Sequence, residues 1–300
     1  MIVVAYNLFW ASLPGLCVFS ILLCFVFAGI KRNPLVPVML MSIFMSLFIW
    51  KNASLHFGFG IESESYRLVL LNVGQFQNDT VVAKSIARKL RQLDADIILL
   101  QEFGLYHKWH DVHLVAQNYA DELAMPYNRF QPQKDNIFGV AVFSKYPIQN
   151  WEKIFEQSGP TNEAVLFSVA INDQPFWLVD LHLQSFNFML PKSDHSYFNP
   201  SKVISKQKLQ AEMVLNKVST YNPVLIAGDF NATPGMTAYE MFAEQHVDLM
   251  RETGNSWRAS LDWLPIRVDH IFSGHGVSAQ EVSFIHTASD HHAILCELSF

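Results

Sequence analysis

Two long apolar runs set the first 51 residues apart from the rest of the chain. Residues 2–30 contain no charged side chain, and a helix of that length, at about 1.5 Å per residue, can cross a hydrocarbon core of about 30 Å. A polar turn begins at Lys31 and Arg32, and residues 35–50 form a second apolar run. The pattern predicts a membrane anchor of two transmembrane helices over residues 1–51.

The charges that flank the two runs predict how the anchor is oriented. Lys31 and Arg32 lie in the short connection, which the positive-inside rule places in the cytoplasm, although Lys51 on the other side subtracts from this bias. We therefore expect a two-helix membrane protein whose C-terminal part is extracytoplasmic. The alternative is a cleaved signal peptide followed by a buried helix. It is disfavoured because residues 1–10 carry no charged side chain.

After a linker at residues 52–65, short apolar runs rich in β-branched residues alternate with a few helical patterns over residues 66–300. The helical pattern at residues 81–93 ends with the basic side chains expected near a helix C-terminus. Strands are predicted at residues 67–73, 97–100, 138–143, 164–171, 176–183, 224–227, 267–272, 282–285 and 293–298, and a second helix at residues 202–218. Many strands with few helices predict an α/β (α+β) fold, a two-sheet sandwich with helices outside.

The composition and net charge of the chain bear on which kind of molecule it binds. Apolar residues make up 50% of the chain and charged residues 16%, and the N-terminal runs account for much of that bias. The net charge is −6, and the part after residue 65 is more negative still, because three basic and two acidic residues precede it. Duplex-binding proteins usually carry a basic surface, so this acidity weakens a duplex-binding function, although clustered metal-binding carboxylates would explain part of it. The three cysteines show no zinc-binding spacing and give no disulfide framework.

Polar side chains recur where the apolar, strand-like runs end. Buried carboxylates are costly unless they are paired or bound to metal, and for any one such residue a structural role is the better explanation. Six such positions together, however, are much harder to explain by structural roles. They are Asn72, Gln101-Glu102, Asp180-Leu181-His182, Asp229-Phe230-Asn231, Asp269-His270 and Asp290-His291.

In their order along the chain, these motifs resemble the endonuclease/exonuclease/phosphatase superfamily, which includes deoxyribonuclease I and the neutral sphingomyelinases. The resemblance covers nearly all of residues 66–300. Its motifs are Leu99-Leu100-Gln101-Glu102, Val140-Ala141-Val142-Phe143-Ser144-Lys145-Tyr146-Pro147, Gly228-Asp229-Phe230-Asn231 with Pro234, and Ser289-Asp290-His291. Each motif is weak alone and the ordered set is specific. It implies a sandwich of the deoxyribonuclease I-like type and a metal-dependent hydrolase of phosphate esters.

The resemblance also implies a metal centre. Mg²⁺ takes oxygen ligands, a few from protein and the rest from water and substrate phosphate. Glu102 is the best candidate ligand, and Asn72 and Asp290 are expected nearby. Mg²⁺ is the expected cofactor, and Mn²⁺ is a possible substitute.

The remaining motif residues are implied to carry the reaction, an in-line attack of water on phosphorus. Asp229 would activate or orient the water, and Asn231 would donate a hydrogen bond to the phosphoryl oxygens. If the stretch is extended, both side chains project to one side. His291 would be the active-site histidine oriented by Asp269, and His182 would contact a non-bridging oxygen or protonate the leaving group. Which of these groups is the general base is left open, as is the number of metal ions.

The substrate class is left open among phosphate esters: a lipid head group, an inositol phosphate or nucleic acid. Membrane attachment and the acidic domain favour the first two over long duplex DNA. The alternative function is a catalytically inactive, membrane-tethered binding module of the same fold, disfavoured because every expected site residue is present. No protein partner is predicted.

Other histidines and two aromatic-containing loops are weighed separately. His107, His110 and His113 have a spacing that could suggest zinc, but a polar helix face explains them better. His270 is expected to pack within its strand, and His292 to point away from His291 in a structural or rim position. The loops, residues 185–205 and the segment with Trp257 and Trp263, could select substrate or pack ordinarily.

Overall fold

The computed structural model describes residues 65–104, 112–132, 138–156, 163–186, 199–256 and 258–300. The predicted transmembrane hairpin and nearly all of the linker lie outside these residues, as do His107, His110, Trp257 and the centre of the 185–205 loop. Among the helices of the described ranges, none is both long and apolar enough to cross a membrane.

Twelve strands and five helices make up the described part of the chain. The strands are β1 (Tyr66–Asn72), β2 (Ile97–Gly104), β3 (Tyr127–Pro132), β4 (Phe138–Ser144), β5 (Ile148–Glu156), β6 (Glu163–Ile171), β7 (Gln174–His182), β8 (Val224–Asp229), β9 (Val247–Asp248), β10 (Asp269–Ser273), β11 (Ser278–Ile285) and β12 (Ala293–Ser299). The helices are α1 (Thr80–Gln92), α2 (Val112–Leu123), α3 (Pro200–Val218), α4 (Thr237–Ala243) and α5 (Leu249–Glu252).

The strands form two six-stranded sheets that pack face to face. Strand order is β11-β12-β1-β2-β4-β3 in the first sheet and β5-β6-β7-β8-β10-β9 in the second. Each sheet contains one parallel pair, β1 with β2 and β7 with β8, among antiparallel neighbours. The parallel pairs bring the ends of consecutive strands side by side, Asn72 opposite Gln101 and His182 opposite Asp229.

Three apolar layers hold the sandwich together. Leu70, Leu99, Phe167 and Leu225 belong to the central layer between the sheets. Helices α1 and α2 cover the outer face of the first sheet, and α3 and α4 cover that of the second. Fully burying an aliphatic or phenyl side chain contributes about 1.5–3 kcal/mol, so this three-layer burial is the main stabilising term of the domain.

The two-sheet α/β sandwich and the predicted strands and helices are confirmed within the described residues. Predicted boundaries are shorter or shifted, and β10 begins at Asp269 rather than residue 267. Helices α2, α4 and α5 and strands β3, β5 and β9 were not predicted. Strands β3 and β5 are edge strands, where polar and charged side chains interrupt the apolar alternation that marks a strand in sequence.

Candidate active site

The predicted site residues meet at one edge of the sandwich, where the two parallel strand pairs end. Asn72 and Glu102 come from the first sheet, and His182 and Asp229 from the second. Asp269 opens β10, and His291 precedes β12. The structure therefore brings residues separated by more than 200 positions into one buried cluster.

Asp229 lies at the centre of this cluster and is 2% exposed. Its Oδ2 accepts a hydrogen bond of 2.9 Å from Asn72 Nδ2. The same oxygen lies 3.6 Å from His182 Nε2 and 4.0 Å from His291 Nε2. One carboxylate oxygen thus lies near two imidazoles, at distances beyond a hydrogen bond, so both Nε2 atoms remain available to another acceptor.

A glycine permits this close approach of strands β7 and β8. A Cβ atom at Gly228, whose φ is +152°, would lie 1.9 Å from the backbone oxygen of Leu181 on the neighbouring strand. Any side chain there would push apart the strand ends that carry His182 and Asp229. Glycine is therefore required one residue before the central aspartate.

Burial and a neighbouring carboxylate raise the pKa of Asp229 to about 6. Desolvation is the largest cause, and repulsion from Asp269 adds to it, while His182 and His291 act in the opposite direction. The carboxylate consequently holds its proton far more readily than an exposed aspartate. A carboxyl group that titrates near neutrality suits proton transfer at physiological pH.

His291 and Asp269 form a buried ion pair, with His291 Nδ1 2.8 Å from Asp269 Oδ2. Burial alone would lower the pKa of His291, but Asp269, through its charge and its hydrogen bond, raises that pKa to about 10. The imidazolium therefore persists through neutral pH, with Nε2 directed to Asp229. Backbone bonds fix both partners: Ser289 Oγ accepts from His291 N at 3.2 Å, and Ser260 Oγ accepts from Asp269 N at 3.1 Å.

Glu102 is held in a strained backbone. Its φ is +50°, in the left-handed region that is unfavourable for residues with a side chain, and such strain concentrates at functional sites. Its Oε1 lies 3.8 Å from His182 Nε2 and 3.5 Å from Asn72 Nδ2. The side chain is 20% exposed, so it is the open carboxylate of the cluster.

A left-handed turn places a second side chain against Glu102. Residues 74–78 all have φ near +50°, at a cost of roughly 1–2 kcal/mol for each non-glycine residue. Within this turn Gln75 Nε2 donates to Glu102 Oε2 at 3.1 Å, and Gln77 Nε2 donates to the carbonyl oxygen of Ala288 at 3.0 Å. Sequence reasoning missed Gln75. The polar Gly74-Gln75 step after a strand end was a signal, but the reversed handedness of the turn leaves no sequence pattern.

Asp290 lies at the same edge, at the exposed rim of the cluster. Its Oδ1 accepts a 3.3 Å hydrogen bond from Ser289 Oγ. The same oxygen lies so close to Gly74 that a Cβ atom on residue 74 would be 2.8 Å from it. Ser289 Oγ also lies 2.7 Å from the carbonyl oxygen of Asn72. The Ser289 hydroxyl therefore contacts both the Asp290 carboxylate and the backbone at the strand end that carries Asn72.

The expectation that Asn231 projects beside Asp229 from an extended segment is wrong. Asn231 has φ +47°, and its backbone N–H donates to Asp229 Oδ1 at 2.8 Å, so the chain turns after β8. Its Nδ2 donates to the carbonyl oxygen of Leu183 at 3.1 Å. The short polar side chain tolerates the left-handed conformation, and in this arrangement it ties the two strand ends together.

The two remaining histidines follow the expected pattern. His270 is fully buried, its Nε2 lies 2.7 Å from the carbonyl oxygen of Ala232, and its ring packs against Phe230 and Tyr239. His292 points away from His291 and lies 3.3 Å from Asp262. Trp263, from one aromatic loop, is 52% exposed.

Asp180 and Gln101, which the sequence analysis places at strand ends without a role in the reaction, form a buried pair below the site. Gln101 Nε2 lies 2.5 Å from Asp180 Oδ1, and both side chains are fully buried between the sheets. Burial raises the pKa of Asp180 well above its usual value, against the opposing hydrogen bond from Gln101. The pair joins the residue before Glu102 to the strand that carries His182.

The donor set fits a divalent cation. Asp229, Asp269 and His291 offer ligand atoms within 4.8 Å of one another, but Asp269 Oδ2 and His291 Nδ1 are already committed to their ion pair. Glu102 supplies carboxylate oxygens at the open side of the cluster, and oxygen is what a hard cation prefers. Asn72 lies beside it with its Oδ1 bonded to Gly74 N at 2.9 Å, so this oxygen would have to exchange that bond to bind a metal. The side containing Glu102, Asn72 and Asp290 is therefore the better place for a metal than the buried His291 side.

Comparisons with known proteins agree with this architecture. Residues 69–291 match the sequence model of the Endonuclease/Exonuclease/phosphatase family. An endonuclease/exonuclease/phosphatase from Beutenbergia cavernae is 17% identical (TM-score 0.62; 79% of this chain, 72% of that one). A family protein from Leptotrichia buccalis is 16% identical (TM-score 0.57; 78% and 100%). D. rerio TDP2 complexed with single strand DNA product is 17% identical (TM-score 0.58; 79% and 100%). No curated protein matches the chain significantly in sequence.

Proposed function

The chain belongs to the Endonuclease/Exonuclease/phosphatase family, whose members are metal-dependent phosphoric ester hydrolases, and we propose that it is a membrane-anchored, Mg²⁺-dependent member. One observation carries the proposal: Asp229 Oδ2 lies within 4.0 Å of both His182 Nε2 and His291 Nε2 and accepts from Asn72, with Glu102 at the open side. This arrangement combines a proton acceptor, a fixed cation and metal-ligating oxygen atoms in one cluster. The predicted anchor at residues 1–51 would tether the catalytic domain, on the extracytoplasmic side.

The metal would be held by Glu102, with Asn72 and Asp290. A divalent cation, Mg²⁺ or Mn²⁺, would polarise a phosphoryl oxygen and offset the charge that develops on it. Gln75 Nε2, which donates to Glu102 Oε2, would orient the carboxylate for this role.

Asp229 would act as the proton acceptor for the attacking water. Its pKa of about 6 keeps it ionised at neutral pH, yet basic enough to accept a proton as the water attacks phosphorus. The hydrogen bonds from Asn72 Nδ2 and Asn231 N fix both carboxylate oxygens, so the group is oriented before substrate binds.

The two imidazoles would stabilise the phosphoryl oxygens. His291, held as a cation by Asp269, would donate from Nε2 to an oxygen that gains negative charge. His182 would donate to a second oxygen or protonate the leaving group. Asn231 Nδ2 already donates to Leu183, so its contribution would be to hold the strand ends unless it exchanges that bond for a phosphoryl oxygen.

The substrate class is a phosphate ester, and the anchor and acidity favour a lipid head group or an inositol phosphate. An enzyme fixed at a bilayer encounters head groups at high local concentration, and a net negative domain gains little from a polyanionic duplex. The fold it shares with D. rerio TDP2, solved with a single strand DNA product, makes nucleic acid the competing substrate.

A substrate panel tests the proposal directly. The full-length chain in detergent would be assayed on sphingomyelin vesicles, inositol phosphates and single-stranded DNA, with Mg²⁺ and with EDTA. Each assay would be repeated with the Glu102→Ala and His291→Ala variants. We expect metal-dependent turnover of one substrate class that falls by at least about 10²-fold in both variants. Binding of a panel member without turnover, by a folded chain supplied with Mg²⁺, would favour the inactive binding module instead.

A further inference from the structure

Three side chains with no role in the proposed reaction meet behind the catalytic histidine. They are Asp262, His286 and His292, and their ligand atoms lie within 4.8 Å of one another. His291 faces Asp269 and Asp229, whereas His292, the next residue, faces Asp262. The two clusters therefore lie on opposite sides of one short segment.

The distances within the cluster match those of a tetrahedral metal site. His286 Nδ1 lies 3.2 Å from Asp262 Oδ1, and His292 Nε2 lies 3.3 Å from the same oxygen. With metal–ligand bonds of about 2.0–2.1 Å, two ligand atoms of a tetrahedral zinc site are separated by roughly 3.3–3.4 Å. Two of the three separations already have the required length, and the third, between the two imidazole nitrogens, lies within 4.8 Å.

The backbone holds the cluster in place. Asp262 N donates to the carbonyl oxygen of Asp290 at 2.9 Å, and His292 N donates to that of Ser260 at 2.7 Å. His286 directly follows strand β11, and His292 directly precedes β12. The three ligands thus come from two paired strand ends and one loop held by backbone hydrogen bonds. Because this backbone is already ordered, binding an ion would cost little backbone conformational entropy.

The chemistry of the donors selects the ion. Two imidazole nitrogens and one carboxylate oxygen suit Zn²⁺, whereas Mg²⁺ prefers oxygen alone. The His286 side chain is 70% exposed and that of Asp262 45%, so an ion and a completing water have access. Exposed ion pairs contribute little on their own, so ion pairing is a weak reason for two histidines to converge on one carboxylate.

We propose that Asp262, His286 and His292 form a second metal site, specific for Zn²⁺ or a similar borderline cation and separate from the oxygen-rich catalytic centre. An ion there would fasten the Asp262–Trp263 loop to the segment that carries Asp290 and His291. The inference rests on this cluster alone and does not depend on the proposed hydrolytic activity.

Zinc binding to the full-length chain tests the site. The chelator-stripped protein in detergent, with excess Mg²⁺, would be dialysed against Zn²⁺, and bound zinc would be counted by elemental analysis. The visible spectrum of bound Co²⁺ would report tetrahedral nitrogen–oxygen ligation. The variants are Asp262→Asn, His286→Ala and His292→Ala. His275→Ala, which changes an exposed histidine outside the cluster, is the matched control. Asp229→Asn is a second control, because zinc bound at the catalytic centre would be lost in that variant.

We expect each ligand variant to lose one zinc equivalent or to weaken its binding by more than the roughly 10–100-fold that loss of an outer-shell partner costs. His275→Ala and Asp229→Asn should both retain that equivalent. Equal zinc binding by the wild type and the three ligand variants would overturn the proposal. So would an equivalent that is lost only in Asp229→Asn, because the zinc would then occupy the catalytic centre.

Discussion

Two buried aspartates in the second sheet show how differently the same fold treats the same side chain. Asp248 is 5% exposed and accepts from Arg267 Nη1 and Nη2 at 3.0 and 2.7 Å, and from the Tyr239 hydroxyl at 2.6 Å. Although burial opposes it, Arg267 lowers the pKa of Asp248 to about 2. Asp229, which is equally buried, has two short hydrogen bonds, a repelling carboxylate neighbour and a pKa of about 6.

The difference lies in what each region leaves unsatisfied. Around Asp248 the protein supplies a bidentate cation in hydrogen-bond contact, so the charge is neutralised within the fold. Around Asp229 the two imidazoles stay 3.6 and 4.0 Å away, and Asp269 keeps like charge nearby. The region around Asp248 stabilises the domain. The region around Asp229 is less stable than it would be with a neutralised carboxylate, and its reactive groups remain available to a substrate and a metal.

The strongest test of this contrast removes the reactive groups. Asp229→Asn and His291→Ala should each lower kcat/KM by about 10²–10⁴-fold, the usual contribution of a positioned proton-transfer group or charged donor. Asp229→Asn should leave the thermal midpoint unchanged or higher, because it removes repulsion from Asp269. Hydrolysis kinetics and calorimetry on the same preparations measure both effects. A large drop in midpoint would mean that Asp229 is structural.

The opposite result is expected at Asp248. Asp248→Ala leaves the Arg267 charge buried without its partner and should lower the free energy of unfolding by about 3–5 kcal/mol. Denaturant titration measures this loss, while kcat per folded molecule should stay at the wild-type value. Pairing the change with Arg267→Met should recover part of the stability. Full stability of Asp248→Ala alone would contradict the account of this pair.

A smaller effect is expected when the support of the metal ligand is removed. Gln75→Ala frees Glu102 Oε2 and should weaken activation by Mg²⁺ by roughly 10–100-fold, as loss of an outer-shell partner does. Gln77→Ala is the matched control, because Gln77 lies in the same turn but donates to Ala288. The concentration of Mg²⁺ at half-maximal rate separates the two variants, and an equal shift in both would assign the effect to the turn itself.

Titration distinguishes the two aspartates by pH window. Asp229 must be ionised to accept a proton, so kcat/KM should fall about tenfold per pH unit below about 6. The pKa of Asp248 is lower in the folded than in the unfolded state, so the ionised group stabilises the folded protein. Its contribution to the free energy of unfolding, about 2 kcal/mol, is complete above about pH 4 and is lost as the pH falls towards 2. Asp248→Asn should flatten that acid loss of stability and leave the activity profile unchanged. An altered activity profile would contradict the separation.

The sequence predicts the sandwich and most of the cluster because both depend on local signals. Asn72, His182 and Asp229 end apolar strands, and the two parallel pairs bring those ends together. The missed features depend on geometry that local pattern does not carry. Gln75 reaches Glu102 because residues 74–78 form a left-handed turn. Arg267 contacts Asp248 because strands β9 and β10 are paired.

The same limit explains the wrong expectation for Asn231, which was placed on an extended stretch although the chain turns after β8. The predicted membrane hairpin lies outside the described residues and stays a prediction.

Isotope incorporation tests the central claim most directly. The substrate turned over in the panel would be hydrolysed in H₂¹⁸O by the full-length chain with Mg²⁺, and the products analysed by mass spectrometry. Water attack at phosphorus predicts that the label enters the phosphate product, at a rate that collapses in Glu102→Ala and Asp229→Asn. Label in the released alcohol, or undiminished labelling of phosphate by both variants, would contradict the assignment of this cluster as a phosphate-ester hydrolase.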